Sequence, residues 1–207
     1  MEILSLFSTN IITTFIEEDI DVEELKMSKV KFTSISPTDH NPQTPDISIN
    51  LRVLKKYPKL EDLLLKKFVE IAGTYFNYKN DFAITTSWFT RVNKGQYSQP
   101  HVHKNSFWSG VYYFDDYSKD SASIEFMSPL VDFTDYYLKP DEENEFTATM
   151  VSIQPKKNSI VFFPSYIEHK VSTHKDNATR YSLPFNIVPI GKYGNGDSFY
   201  NTDWFER

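Results

Sequence analysis

Two histidines one residue apart, His101 and His103 in QPHVHKNSFWSGVYYF (99 to 114), run straight into an aromatic, strand-like segment of a chain that holds only five histidines. In an extended chain the side chains at i and i+2 point to one face, so both imidazoles aim at one point about 7 Å along the strand. That is the geometry of two metal ligands, or of two ordinary packed or solvated strand histidines. A second stretch, FFPSYIEHKVSTHKDNATRYS (162 to 182), carries His169, Arg180 and Ser182. Arg180 and Ser182 share one strand face, and a fixed guanidinium beside a hydroxyl grips a small carboxylate. A metal and a carboxylate clamp together suggest a chelating acid as cosubstrate.

The elements that must position these residues follow from periodicity. ILSLFSTNIITTFI (3 to 16) reads as strand with turn residues, EEDIDVEEL begins a polar connection or short helix, and TDHNPQTPD (38 to 46) is a loop by its Pro, Asn and Asp content. A helix is predicted from Pro58, because Leu60, Leu63, Leu64, Phe68 and Ile71 recur at helical spacing, with Gly73 near its end. After Asp81 the pattern changes to short strands broken by turns: FAITTSWFTRV, the HVH segment, FWSGVYYF, SASIEFM, FTATMVSI, NSIVFFP, HKVSTH and RYSLPFNIVP. Such a run suffices for a two-sheet jelly-roll or similar barrel with the helix packed outside it. The chain is read as a single domain, 1–207: a strand and helix support region at 1–80, a jelly-roll catalytic core at 81–190 and a tail at 191–207.

Composition excludes several function classes. Cysteine is absent, which removes disulfides, iron–sulfur clusters and thiol nucleophiles. The net charge of -6 and the lack of a long Lys/Arg run argue against nucleic acid or an anionic membrane as the main partner. No phosphate-cradling glycine loop or nucleophile elbow occurs. Glu2 stands where a signal peptide needs positive charge, and no apolar run reaches the ~18 residues of a membrane span, so a soluble, cytoplasmic protein is expected.

The order His101-x-His103, His169, Arg180-x-Ser182 on such a chain resembles the Fe(II) and 2-oxoglutarate-dependent oxygenases of the double-stranded β-helix (jelly-roll, cupin-like) fold. LFSTNI, PHVHKNSFWSGVYYF and IVFFPSYIEHKV followed by RYSLPFN look like a bacterial and phage branch of that superfamily, which for a phage-encoded protein would mean the host cytoplasm. The resemblance implies Fe(II) held by His101, His103 and His169, with 2-oxoglutarate and O2 as cosubstrates. Oxidative decarboxylation would be coupled to hydroxylation of a small molecule or protein side chain. It implies that Arg180 and Ser182 hold the distal carboxylate. Prolyl-hydroxylase-like sequences, in which the second tyrosine of a similar pair contacts 2-oxoglutarate, add Tyr113, with Ser109 on its face as a further candidate.

One departure stands out. The superfamily pattern has H-x-D or H-x-E before the distal histidine, and here His103 occupies the carboxylate position. Imidazole suits iron, and cupin dioxygenases offer a precedent for an all-histidine triad; a carboxylate from Asp115, Asp116 or Glu125 is the alternative third ligand. Trp88, Arg91, Asn93 and Trp108 are expected near the mouth as substrate contacts, and DEENE (141 to 145) as a solvated loop with a lid role as the alternative. Tyr112 and Tyr113 face opposite ways, one of them into the core. His40 and His174, among turn and loop residues, are expected to be solvated. Two rival classes remain open: a cupin-like metalloenzyme that does not use 2-oxoglutarate, and a non-catalytic jelly-roll binding module. The first leaves Arg180-x-Ser182 unexplained, the second the histidines.

Overall fold

A computed structural model of the chain describes residues 8–18, 29–35, 43–129, 140–144 and 147–203. In chain order the elements are β1 (Ile12–Phe15), β2 (Phe32–Ser34), β3 (Asp46–Ser48), α1 (Pro58–Phe76), β4 (Asp81–Ser87), β5 (Thr90–Val92), β6 (Trp108–Tyr113), β7 (Ile124–Met127), β8 (Met150–Ile153), β9 (Ser159–Pro164), β10 (His169–Val171), β11 (Arg180–Ile190), β12 (Lys192–Tyr193) and β13 (Tyr200–Asn201). The eight-stranded sheet runs β1-β9-β6-β11-β5-β3-β2, with β4 also paired to β11, and a smaller sheet runs β10-β7-β8. Every named pairing is antiparallel.

The long strand β11 organises the larger sheet. Along one edge its start pairs with β5 and its later part with β4; along the other it pairs with β6. The FAITTSWFTRV segment is thus one passage along β11, broken at Trp88 and Phe89, and Trp88 N–H still donates to Pro184 O at 3.0 Å.

β6 and β9 are buried along their whole length because both their faces are covered. Trp108 and Tyr112 of β6, with Ile160 and Phe162 of β9, join the core beneath α1, whereas Val111, Tyr113, Val161 and Phe163 meet Ile124 and Phe126 of β7 between the sheets. The two tyrosines do face opposite ways, but both are fully buried. At Gly110 the sheet has no room for a Cβ, which would run into the Phe185 ring on the paired strand.

α1 buries Leu60, Leu64, Phe68, Ile71 and Ala72. Phe68 lies 5.0 Å from Phe82, 5.7 Å from Trp108 and 5.5 Å from Phe162, ring centre to ring centre. The helix runs past Gly73 to Phe76, and the turn that ends it falls on Asn77, at φ 54°, a left-handed conformation that asparagine tolerates better than most residues. The HVH segment is a loop rather than a strand, with an isolated β-bridge between His101 and His169. Among the described residues no helix is long and apolar enough to cross a membrane. His40 and residues 19–25 of the acidic EEDIDVEEL stretch lie outside the described residues; Asp141 to Asn144 of the later acidic loop are exposed.

Candidate metal centre

The bridge that ties the HVH loop to β10 brings the three histidines together. His101 N–H donates to His169 O at 2.9 Å, His169 N–H to His101 O at 3.0 Å, and His103 N–H to Ser165 O at 3.0 Å. Ring centres then stand 4.4 Å (His101 to His169), 5.0 Å (His103 to His169) and 5.4 Å (His101 to His103) apart. One ring nitrogen from each lies within 4.8 Å of the others. Two of the rings are oriented by backbone carbonyls: His101 Nδ1 lies 2.8 Å from Gln99 O and His169 Nδ1 2.9 Å from Ile167 O. A carbonyl only accepts, so Nδ1 carries the proton and Nε2 the lone pair. Burial, reinforced by the neighbouring His101, lowers His169 to about 3 and His103 to about 4, which leaves both neutral and able to donate a lone pair at neutral pH. Three imidazoles converging on one point fit a divalent first-row ion such as iron.

The fallback carboxylates are engaged elsewhere. Glu125 pairs with Lys170 at 3.3 Å, Asp116 with Lys157 at 2.9 Å, and Asp115 accepts the Asp116 N–H.

Beside the histidines lies a cavity of about 80 Å³, lined by His101, His103, His169, Trp88, Thr90, Ser98, Val111, Tyr113, Ile124, Phe163, Val171, Arg180, Ser182 and Pro184, among others. Arg180 is 3% exposed. Its Nε donates to Ala122 O at 2.9 Å, one terminal nitrogen to Ser182 Oγ at 3.2 Å and the other to Tyr113 Oη at 3.4 Å. The guanidinium carbon lies 5.2 Å from the centre of the Tyr113 ring. Among the described residues no carboxylate pairs with it. A buried guanidinium with no counter-charge is costly unless an anion completes the site. Burial raises the Tyr113 phenol above its ordinary range, against the pull of Arg180, so the phenol stays protonated.

Residues 86–186 match the family model described as "Putative 2OG-Fe(II) oxygenase". Over this segment the chain is similar to the 2OG-Fe(II) oxygenases. The match takes in all three histidines and the Arg-x-Ser pair. No curated protein matches the sequence.

Solved oxygenases of this kind share the fold, which is the double-stranded β-helix. A Pseudomonas putida prolyl-4-hydroxylase is similar at a TM-score of 0.56 and 13% identity, over 90% of this chain and 96% of that one. HygX from Streptomyces hygroscopicus, with nickel and 2-oxoglutarate bound, aligns at 0.58 and 9% identity over 87% and 83% of the two chains. The 2-oxoglutarate-dependent epimerase SnoN from nogalamycin biosynthesis aligns at 0.62 and 9% identity over 89% and 81%.

Within this oxygenase fold the other expected site residues fall in different places. Trp88 lines the cavity, its ring edge-on to His103 at 5.6 Å. Arg91 is pinned to Asp46 at 2.6 Å and stacked over Phe32, tying β5 to the β2–β3 hairpin. Asn93 shapes a turn, accepting from Thr179 Oγ1 at 2.9 Å. Neither lines the cavity. Trp108 sits on the even face of β6 and is buried against Phe68 and Phe76 beneath α1. Ser109 lies away from Arg180, at 2.9 Å from His103 Nδ1.

His174 is a correction: it is 1% exposed, not solvated. Its Nδ1 accepts the Ala122 N–H at 3.1 Å and its Nε2 donates to Ala178 O at 2.7 Å, so a polar sequence context conceals a buried brace. Thr90, Ala122 and Asn186 were not legible as site residues. Thr90 pairs directly across from Ser182, and only the β5–β11 register reveals that.

Proposed function

We propose that the oxygenase is a hydroxylase in which His101, His103 and His169 hold Fe(II) while Arg180, Ser182 and Tyr113 hold the far carboxylate of 2-oxoglutarate. The observation that carries this reading is the buried Arg180, which has three neutral hydrogen-bond partners and no carboxylate. Ser182 Oγ and Tyr113 Oη both accept from the guanidinium, so each keeps its own proton to donate to an anion.

When bound, Fe(II) supplies chelation of the 2-oxo acid and activation of O2. The residues of the chain position and exclude. The imidazoles present lone pairs on one side, the clamp fixes the acid's orientation, and Val111, Ile124, Phe163 and Val171 keep the space between them apolar. Residues 81–190 form the catalytic core in this reading, with 1–80 as support and 191–207 as a tail.

The prime substrate is a small molecule or a peptide side chain presented on the side where the exposed Ile35 and the half-buried Trp88 line the cavity. Among the solved neighbours, one HygX structure holds hygromycin B and a prolyl hydroxylase from Trichoplax adhaerens holds a peptide fragment.

The test is a thermal melt of Mn-loaded protein with and without 2-oxoglutarate, paired with an assay for succinate. A ligand-induced rise in melting temperature and slow succinate release are expected. Metal binding with no affinity for millimolar 2-oxoglutarate would favour the cupin-like alternative.

A further inference from the structure

Two of the three histidines are oriented by backbone carbonyls, and the third is not. His103 Nδ1 lies 2.8 Å from Asn186 Oδ1 and 2.9 Å from Ser109 Oγ. These partners occupy one rung of the larger sheet, where Asn186 pairs with Ser109 on β6 and with Thr86 on β4. Ser109 Oγ donates to Asn186 Oδ1 at 2.8 Å and stands 2.8 Å from Ser165 Oγ, and Asn186 Nδ2 donates to Thr86 Oγ1 at 2.9 Å. A continuous polar row, Thr86, Asn186, Ser109 and Ser165, thus runs behind the one ligand that replaces the superfamily's carboxylate.

From this row we infer that Asn186 is a positioning residue that sets the tautomer of His103, placing the proton on Nδ1 and the lone pair on Nε2. The inference rests on the metal reading of the three histidines. An amide presents an acceptor on one side and donors on the other. With Oδ1 toward the imidazole, Nδ1 must carry the proton. The amide turned over would donate to Nδ1, protonate Nε2 and deprive the ion of its ligand atom. In the orientation observed Thr86 Oγ1 accepts from Nδ2 and the Ser109 hydroxyl donates to Oδ1, so both ends of the amide are partnered. The same amide keeps the ligand set free of negative charge, where an aspartate behind His103 would make the imidazole a stronger donor.

The experiment combines two measurements on wild type, Asn186→Leu and Asn186→Asp. Nitrogen-15 NMR of histidine-labelled, metal-free protein at neutral pH reads the tautomer directly; calorimetry with Co(II), together with the visible spectrum of the bound ion, reads the ligand set. Wild type should show His103 protonated at Nδ1. Asn186→Leu should lose that preference and bind Co(II) about 10 to 100-fold more weakly. Asn186→Asp, which still accepts from Nδ1, should restore the affinity and alter the spectrum. An Nε2-protonated His103 in wild type would overturn the inference while leaving the metal reading intact. So would an Asn186→Leu variant that melts lower yet binds Co(II) as wild type does. Absence of Co(II) binding in wild type would instead overturn the metal reading and the inference with it.

Discussion

His101 and His169 exchange both of their backbone hydrogen bonds, at 2.9 and 3.0 Å, forming a single antiparallel rung that extends the smaller sheet by one residue. The ring centres are 4.4 Å apart as a result. The two ligands are therefore held by main chain before any ion arrives, and only His103 depends on side chains for its orientation.

Metal content should follow from that arrangement. Wild type is expected to bind one Mn(II), Ni(II) or Zn(II), with metal–nitrogen distances of roughly 2.0 to 2.2 Å by X-ray absorption. The triple alanine variant at His101, His103 and His169 should stay folded and bind none by elemental analysis. A His103→Ala protein with wild-type affinity would remove His103 from the ligand set, and with Asp115, Asp116 and Glu125 committed elsewhere would point to water in its place.

Arg180→Ala should lose about 2 to 5 kcal/mol of 2-oxoglutarate binding, more than tenfold in affinity. Arg180→Lys should also bind it poorly, because an ammonium cannot reproduce the planar fork. Metal affinity should scarcely change in either variant. Calorimetry with Mn-loaded protein reads both quantities, and a 2-oxoglutarate-induced rise in melting temperature that survives in Arg180→Ala would disprove the clamp.

His174→Ala should affect stability and the clamp together. Ala122 gives its N–H to His174 and its carbonyl to Arg180, so the imidazole braces the residue that aims the guanidinium. Leaving a buried donor unsatisfied costs about 1 to 3 kcal/mol. Urea denaturation should show that loss, and 2-oxoglutarate affinity should fall with it; a solvated histidine would change neither.

Alkaline pH should destabilise the fold through its buried phenols. Burial pushes Tyr112 up to about 12, while an unfolded tyrosine ionises near ~10. Between those values the unfolded state releases a proton that the folded state retains, so stability is full below pH ~10 and falls as pH rises through that window. Urea melts at pH 9 and 11 should show the decline, and Tyr112→Phe, which cannot ionise, should show less of it.

Gly110→Ala should be destabilising by about 1 to 3 kcal/mol, since the added methyl meets the Phe185 ring inside a packed sheet. The pair Gly110→Ala with Phe185→Leu should recover part of that loss, measured by urea denaturation.

Types and spacing alone determined which residues could form the centre. His-x-His, a distal histidine and Arg-x-Ser are local patterns, and the strand period puts Arg180 and Ser182 on one face whatever the rest of the chain does. The helix from Pro58 was legible for the same reason, its apolar stripe being a property of consecutive residues. Its end was legible to within a turn of Gly73; that the cap itself is Asn77 was not, because one left-handed residue decides a helix terminus and asparagine competes with glycine for that role.

Tertiary structure decided the rest. Trp108 and Tyr113 look alike as aromatic residues of one strand, yet α1 covers one face and the smaller sheet the other, so one became core and the other a neighbour of Arg180. His174 lies in a stretch as polar as any loop, and only its packing against the Ala122 backbone buried it. Asn186 and Thr90 carry no signal of their own. Each matters because a strand remote in sequence pairs beside it, and pairing register is a long-range choice that no local pattern of residues contains.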